Sequence, residues 1–521
     1  MPNLSVPARL LSLSLILPVL TAHGEVRPAS IFADHMVLQR DRSVPVWGTA
    51  DSGETVTVSF AGQTKTVTAD AKGQWLIKLD PMPASAEPRA MAISSNNPKS
   101  KSQNPPLSDV LVGEVWLCSG QSNMEWALDR CTGGLEAVAR AAENPELRLC
   151  TIPHNSQMTP QGDVKAQWLL PSPKTARPFS AVAWWFGSKL QKELRVPVAV
   201  INDSFGGTRI ESWMSTETLA QGPWPHDQNT DVALSKAAYD LRKAKMQPVM
   251  DKYLADKAAA LKGNTPPPEF PAGWPGDFRG PGVLWNGMVA PLLHLSIRGV
   301  LWYQGESNAY VKVADTYRLL LPALIKDWRA GFQQPALPFI IYQIAPNRKP
   351  QTDPNEESGI AVLQQAQLKT VQATPDTALV VTMDLGETNV HYLNKEPAGE
   401  RGTKAALGLA YGRKLEYSSP TFDGMQIKGS EAVVHFANAS GGLVAKGGPL
   451  SGFVIAGDDH KFIFAEAKIV GEMVVVSCAQ VAHPVAVRYG WADFPKVNLF
   501  SAVGLPAAPF RSDDWPLPSS R

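Results

Sequence analysis

The chain has 521 residues, 44% of them hydrophobic, and a formal net charge of +1 at pH 7. That is enough apolar material for a large core, and the length corresponds to two to four domains of about 100–200 residues each. Near-neutral charge excludes the basic stripe of a nucleic-acid binder and the basic amphipathic helix of a membrane-surface protein.

The chain opens with "MPNLSVPARLLSLSLILPVLTAHGEV", in which Arg9 precedes an apolar run from Leu10 to Leu20. Ala22 and Gly24 then occupy the small positions of a cleavage site. The run is too short to span a bilayer, so residues 1–24 read as a secretory signal peptide and the mature chain as soluble, secreted or periplasmic. No other segment is apolar enough to cross a membrane. The chain has four cysteines, few for an exported protein. Cys131 and Cys150 lie near enough in sequence to bridge in an oxidising compartment, whereas Cys118 and Cys478 sit at the ends of apolar strands, where buried free thiols are usual. No pair has zinc-ligand spacing.

Residues 25–106 read as a small β-sandwich. "VPVWGTA", "TVTVSF", "TKTVTA" and "WLIKL" are short strand-like runs separated by "DSGE", "AGQ" and "AKGQ" turns. The stretch "SSNNPKSKSQNPPLSD" then reads as a solvated loop. From 107 to 418 apolar runs of parallel-sheet type, "GEVWLC", "VPVAVIN", "RGVLWY", "PFIIYQI" and "ALVVTMD", alternate with helical patterns. Helices are expected at Ala181–Leu194, Ala314–Gly331, Val362–Ala373 and Thr403–Leu415. The alternation predicts an α/β domain with a parallel sheet between helical layers, and ligands beyond the carboxyl ends of the strands. Residues about 222–282 form an insertion, a polar helical stretch followed by the proline-rich "NTPPPEFPAGWPGDFRGPG". From 419 to 521 the pattern is β-rich again.

The strand ends carry the chemistry. "GEVWLC" runs into "SGQSNMEW", "VPVAVIN" into "DSFGGTRIESW", "RGVLWY" into "QGESNAY" and "ALVVTMD" into "LGETNVH". A serine hydroxyl needs a base to take its proton and donors to hold the oxyanion it creates. Ser122 supplies the hydroxyl. His391 is the base candidate, as the histidine following the carboxyl end of a parallel strand. Donors are available from the Ser122 N–H, from Gly206 and Gly207, and from the Gln304 or Asn308 amide. Each piece has a bland alternative: Ser122 as a turn residue, Gly206-Gly207 as an ordinary turn, Glu306 and Asn308 as caps of a following helix, His391 as a surface histidine, Asp384 as a turn cap. His294 and His435 read as structural. Convergence of the others on one sheet edge favours a site.

These motifs, with "LWNGMVAPLLHLSIRGVLWYQGESNA", the upstream "IFADHMVLQRDRSVPVWGTA" and the closing "GLPAAPFRSDDW", resemble the sialate O-acetylesterase family of SGNH-type hydrolases over nearly the whole mature chain. The resemblance implies a three-layer α/β/α domain flanked by β-sandwich-type domains. It also implies hydrolysis of acetyl esters on sugars without metal or cofactor. By motif position Ser122 would be the nucleophile and His391 the general base, with Ser122 N–H, a glycine of Gly206-Gly207 and Gln304 as the oxyanion hole. The position three residues before the histidine, often Asp in SGNH enzymes, is Thr388 here, and Asn389 and Tyr392 stand where Asp and Pro are common in the family. Asp384 is then the first choice to orient the imidazole, with Glu387 second and a backbone carbonyl third.

For the substrate, Asn308, Glu306, Arg209 and Trp274 are the candidate contacts, with Trp224 and Trp285 as further framing aromatics. Arg209 or Lys312 would suit the carboxylate of sialic acid or a uronic acid; a neutral xylan-type glycan is an equal alternative. A serine hydrolase with another acyl substrate and a non-catalytic glycan-binding protein are the competing functions. No nucleic-acid partner, and no membrane partner after signal cleavage, is expected.

Overall fold

The computed structural model describes residues 26–97, 105–222, 236–263, 268, 271, 280–311 and 313–516. The signal-peptide reading, Trp224, Trp274 and Lys312 lie outside these residues. A seven-stranded sheet forms the centre. Its strands are β1 (Leu107–Gly120), β2 (Leu147–Thr151), β3 (Gln167–Leu169), β4 (Val198–Ser204), β5 (Gly299–Tyr303), β6 (Phe339–Tyr342) and β7 (Thr377–Val380), in the spatial order β3-β2-β4-β1-β5-β6-β7. All neighbours pair in parallel except β3, which is antiparallel to β2.

Both faces of this sheet are covered, which is why its central strands carry runs of consecutive apolar residues rather than alternating ones. On one face Val115, Leu117, Ala199, Ile201, Val300, Trp302, Phe339 and Ile341 pack with residues of α3 (Tyr317–Gly331) and α4 (Gly359–Ala373). On the other, Trp116, Cys118, Val198, Val200, Leu301, Tyr303, Ile340 and Tyr342 pack with residues of α2 (Ala181–Leu194) and α5 (Glu396–Leu409). Cys150 belongs to the first cluster and Cys131 to the second, so the sheet separates them. All four cysteines are free, so the Cys131–Cys150 bridge that their spacing would have allowed is not formed.

α2 has the expected bounds. α5 does not: it starts at Glu396, with Pro397 in its first turn, rather than at Thr403, and it ends before Gly412, whose φ is +64°. Its glycines hid the start. A Cβ at Gly399 or Gly402 would strike Trp185 or the Tyr342 hydroxyl, so these positions allow α5 to sit close on α2 and the sheet.

The N-terminal β region and the central sheet share a strand. The first half of β1 pairs antiparallel with Ser85–Ser95, and Val37–Gln39 pairs parallel with Leu111–Gly113. The second half pairs with β4 and β5. At the changeover sits Glu114, fully buried, which accepts hydrogen bonds from Gln39 (3.0 Å), Arg298 (2.8 Å) and Arg40. Burial alone would raise its pKa, but Arg298, Gln39 and Arg40 together hold it below the ordinary carboxylate value. The β region therefore braces the central sheet. At the other end, two four-stranded sheets follow Thr421, and the run "KFIFAEAKIV" is divided between them as Phe462–Phe464 and Glu466–Val470. Asp493 ties this region to the centre, accepting from Arg348 and Ser358 at 2.6 Å each.

Candidate active site

β1 lies between β4 and β5, where the chain's direction of travel across the sheet reverses, the position at which open α/β sheets place ligands. It ends in Gly120, whose φ of +137° and contact with the Tyr303 carbonyl leave no room for a side chain. Gln121 then locks the turn: its N–H donates to Tyr303 O (2.9 Å), and its Oε1 accepts from Gln304 Nε2 (3.1 Å) and from the N–H groups of Gly305 and Ser307 (3.2 Å each). Ser122 follows as the first residue of α1 (Ser122–Glu125). Its N–H has no hydrogen-bond partner among the described residues and is free to meet an oxyanion.

The double glycine after β4 lies against this turn. A Cβ on Gly206 would stand 3.3 Å from the Ser122 Cβ and 2.9 Å from Glu125 Oε2. The Gly206 N–H is not free, however, because it donates to Glu125 Oε2 at 2.6 Å. The other carboxylate oxygen of Glu125 pairs with His154 Nε2 at 2.9 Å. His154 stacks on Phe205, with ring centroids 3.6 Å apart, and its Nε2 also lies 3.2 Å from Ser204 O. Gly207, at φ +74°, is exposed, and its N–H makes no hydrogen bond among the described residues.

Gln304 is not an oxyanion donor in this arrangement. It is fully buried, and its amide nitrogen already faces three acceptors, Asn308 Oδ1 (2.8 Å), Gln121 Oε1 (3.1 Å) and Thr208 O (3.1 Å). Two N–H hydrogens cannot serve a fourth. Asn308 Oδ1 also accepts from Ile210 N (3.0 Å), and its Nδ2 donates to Glu211 (3.0 Å), leaving one amide hydrogen for other use. In Glu306 one carboxylate oxygen accepts from Asn123 Nδ2, the other is buried without a partner among the described residues, and burial raises its pKa. Arg209 is half-buried between the glycine turn and the 3-10 turn Ile210–Trp213.

The His391 segment lies against α1 and the residue that follows it. Asn123 Nδ2 donates to Val390 O (3.1 Å), and the Trp126 indole stacks on the His391 ring at 4.3 Å and 24°. Asn389 Oδ1 accepts from the His391 N–H (2.9 Å). No hydrogen bond from the His391 ring to a carboxylate occurs among the described residues. Asp384, expected to orient it, is committed to Arg401 through two hydrogen bonds of 2.7 and 2.6 Å, and Glu387 accepts from Leu393 N–H (2.9 Å). Asp384→Asn should therefore cost about 1–3 kcal/mol of stability through the weakened Arg401 pair and leave kcat within tenfold of wild type. A melting curve and acetate-release kinetics check this.

Beneath the His391 segment lies Lys395, fully buried, which donates to Asn123 Oδ1 and sits 3.4 Å over the Tyr392 ring. Burial lowers its pKa to about 7. Asn123 thus joins Glu306, Lys395 and the backbone before His391 in one network. Sequence reasoning missed Asn123, Glu125, Trp126, His154 and Lys395, although three of them stand inside "SGQSNMEW". His154 also follows the carboxyl end of a parallel strand, β2, so His391 is not alone in that position.

A family model described as a carbohydrate esterase, sialic acid-specific acetylesterase, matches residues 284–408. Curated sialate O-acetylesterases align over almost the full length: the human protein is 26% identical, covering 96% of each chain, and the rat protein 27% identical, covering 93% of this chain and 94% of its own. A solved carbohydrate acetylesterase from Xanthomonas citri is 33% identical and superposes with a TM-score of 0.79 over 94% of this chain and 100% of that one. The chain belongs to the sialate O-acetylesterase family of carbohydrate esterases. It is a carboxylic ester hydrolase, and the family's matched segment spans β5, Gln304–Asn308, Asp384 and His391.

Proposed function

We propose that the chain removes O-acetyl groups from carbohydrates through an acetyl-Ser122 intermediate. The observation that carries this reading is the junction at α1, where Ser122 presents a free N–H while Asn123 and Trp126 hold the His391 segment against the same helix. In the first step His391 takes the Ser122 proton as Oγ attacks the acetyl carbonyl, and the tetrahedral oxyanion is held by the Ser122 N–H, a glycine N–H and the remaining Asn308 amide hydrogen. Collapse breaks the ester C–O bond, and the imidazolium returns its proton to the departing sugar oxygen. In the second step His391 deprotonates a water that attacks the acetyl-serine, and acetate leaves with Ser122 restored.

The substrate class is an acetylated sialic acid or a hemicellulose-type glycan. The curated relatives are named for the first and the Xanthomonas structure for carbohydrate acetyl esters at large. The N-terminal pattern of residues 1–24 supports export by signal peptide, and among the described residues no helix is long and apolar enough to cross a membrane. The test is acetate release from O-acetylated sialic acid and from acetylated xylan, beside a series of acetyl, butyryl and octanoyl nitrophenyl esters. Release from at least one glycan and rates falling with acyl length are expected. Preference for the octanoyl ester would make it a hydrolase of another acyl class, and glycan binding without any release would make it a binding protein.

A further inference from the structure

Glu125 has no role in the two-step reaction as written, yet its carboxylate stands beside the nucleophile. It is three residues after Ser122 on α1, and a Cβ on Gly206 would touch both it and Ser122. One of its oxygens binds the Gly206 N–H at 2.6 Å and the other pairs with His154 at 2.9 Å. His154 is in turn fixed on two sides, by its stack on Phe205 and by Ser204 O, both on the chain that leads from β4 into the double glycine. The carboxylate therefore bridges three segments: the nucleophile's helix, the Gly206-Gly207 turn and the loop after β2.

A backbone N–H bound to a carboxylate cannot also receive an oxyanion, and a fixed negative charge beside a developing one opposes it, so any benefit from Glu125 has to come through the geometry it holds. The neighbouring Gly207 N–H has no such partner, and its φ of +74° is a conformation that glycine adopts at no steric cost. We propose that Glu125 is the positioning residue of the oxyanion hole: by binding the Gly206 N–H it fixes the turn against Ser122 and leaves the Gly207 N–H as the glycine donor, with His154 holding the carboxylate in place. This rests on Ser122 being the nucleophile.

The test uses the full chain with acetyl nitrophenyl ester and the acetylated glycan that proves active. Glu125→Ala should lower kcat by about 10²-fold, the cost of misplacing one oxyanion donor, with KM within threefold. Glu125→Gln keeps an oxygen that accepts from Gly206 and should recover to within tenfold of wild type. His154→Phe keeps the stack on Phe205 but frees the carboxylate, and should fall between the two; it also serves if Glu125→Ala does not fold by its melting curve. Ser122→Ala is measured alongside. If Ser122→Ala is inactive and Glu125→Ala is as fast as wild type or faster, the carboxylate only blocks Gly206 and the proposal fails. Equal losses in Glu125→Ala and Glu125→Gln would also overturn it, because charge rather than the hydrogen bond would then matter. An active Ser122→Ala would instead remove the reading beneath it.

Discussion

Ser122→Ala should abolish acetate release, lowering kcat by about 10⁴-fold or more on glycan substrates. The size follows from what the hydroxyl supplies. Without Oγ no acetyl-enzyme forms, and the pathway left is direct attack of water on an ester held near the same donors, which retains only the part of catalysis due to binding and the oxyanion site. The fold should not notice. Ser122 begins a four-residue helix whose position is set by Gln121, through its bonds to Tyr303, Gln304, Gly305 and Ser307, and by Asn123, through Glu306, Val390 and Lys395. Loss of one hydroxyl from that frame is worth no more than about 1 kcal/mol. A melting curve unchanged within a few degrees, beside an inactive variant, is the expected pair of results. Activity within tenfold of wild type would remove Ser122 from the mechanism.

The parts of the fold that were legible in sequence are those where burial leaves one kind of pattern. β5 and β6 have helices on both faces and read as unbroken apolar runs, β1 and β4 hold such runs at "VWLC" and "VAVI", and α2 shows its apolar stripe at three- and four-residue spacing. β2 was missed because "LRLCT" carries Arg148, whose guanidinium pairs with Asp109, and nothing in a short run with a charge inside it signals a buried strand. Missing β2 hid His154. The sharing of β1 between two sheets was also invisible, since a continuous strand looks the same whichever neighbours it has. In the site, Ser122 follows the end of β1 and His391 lies on the loop after β7, whereas the Gln304 amide and the Asp384 carboxylate are bound to other protein groups. Residue type says what a side chain can donate or accept. It does not say that Tyr317, Asn308 and Thr208 have already claimed the Gln304 amide, or that Arg401 has claimed Asp384.

His391→Ala should lower kcat by about 10³-fold or more, since proton transfer by a placed base contributes 10²–10⁴-fold and the serine is a poor nucleophile without it. In the wild type the same group sets the acid limb of kcat/KM. Burial, then the Lys395 charge, hold the His391 pKa below the ordinary 6.5, while the Glu125 carboxylate pulls it up. The charges on its own segment add little: Asp384 is neutralised by Arg401, and Glu387 faces the Leu393 N–H. The base works as the neutral imidazole, so a depressed pKa extends activity downward, and the limb should lie below pH 6.5 with a plateau above it. Lys395, with a pKa of about 7, is largely charged where His391 titrates, so its influence is present where the limb is measured. Two substitutions then move the limb in opposite directions. Lys395→Met removes a cation and should shift it to higher pH, and Glu125→Gln removes an anion and should shift it to lower pH. Shifts in the same direction, or none, would mean that another group sets the limb. If His391→Ala keeps its activity, the base is His154, the other histidine at a strand end, and the Glu125–His154 pair would be the acid and base of the reaction rather than its brace.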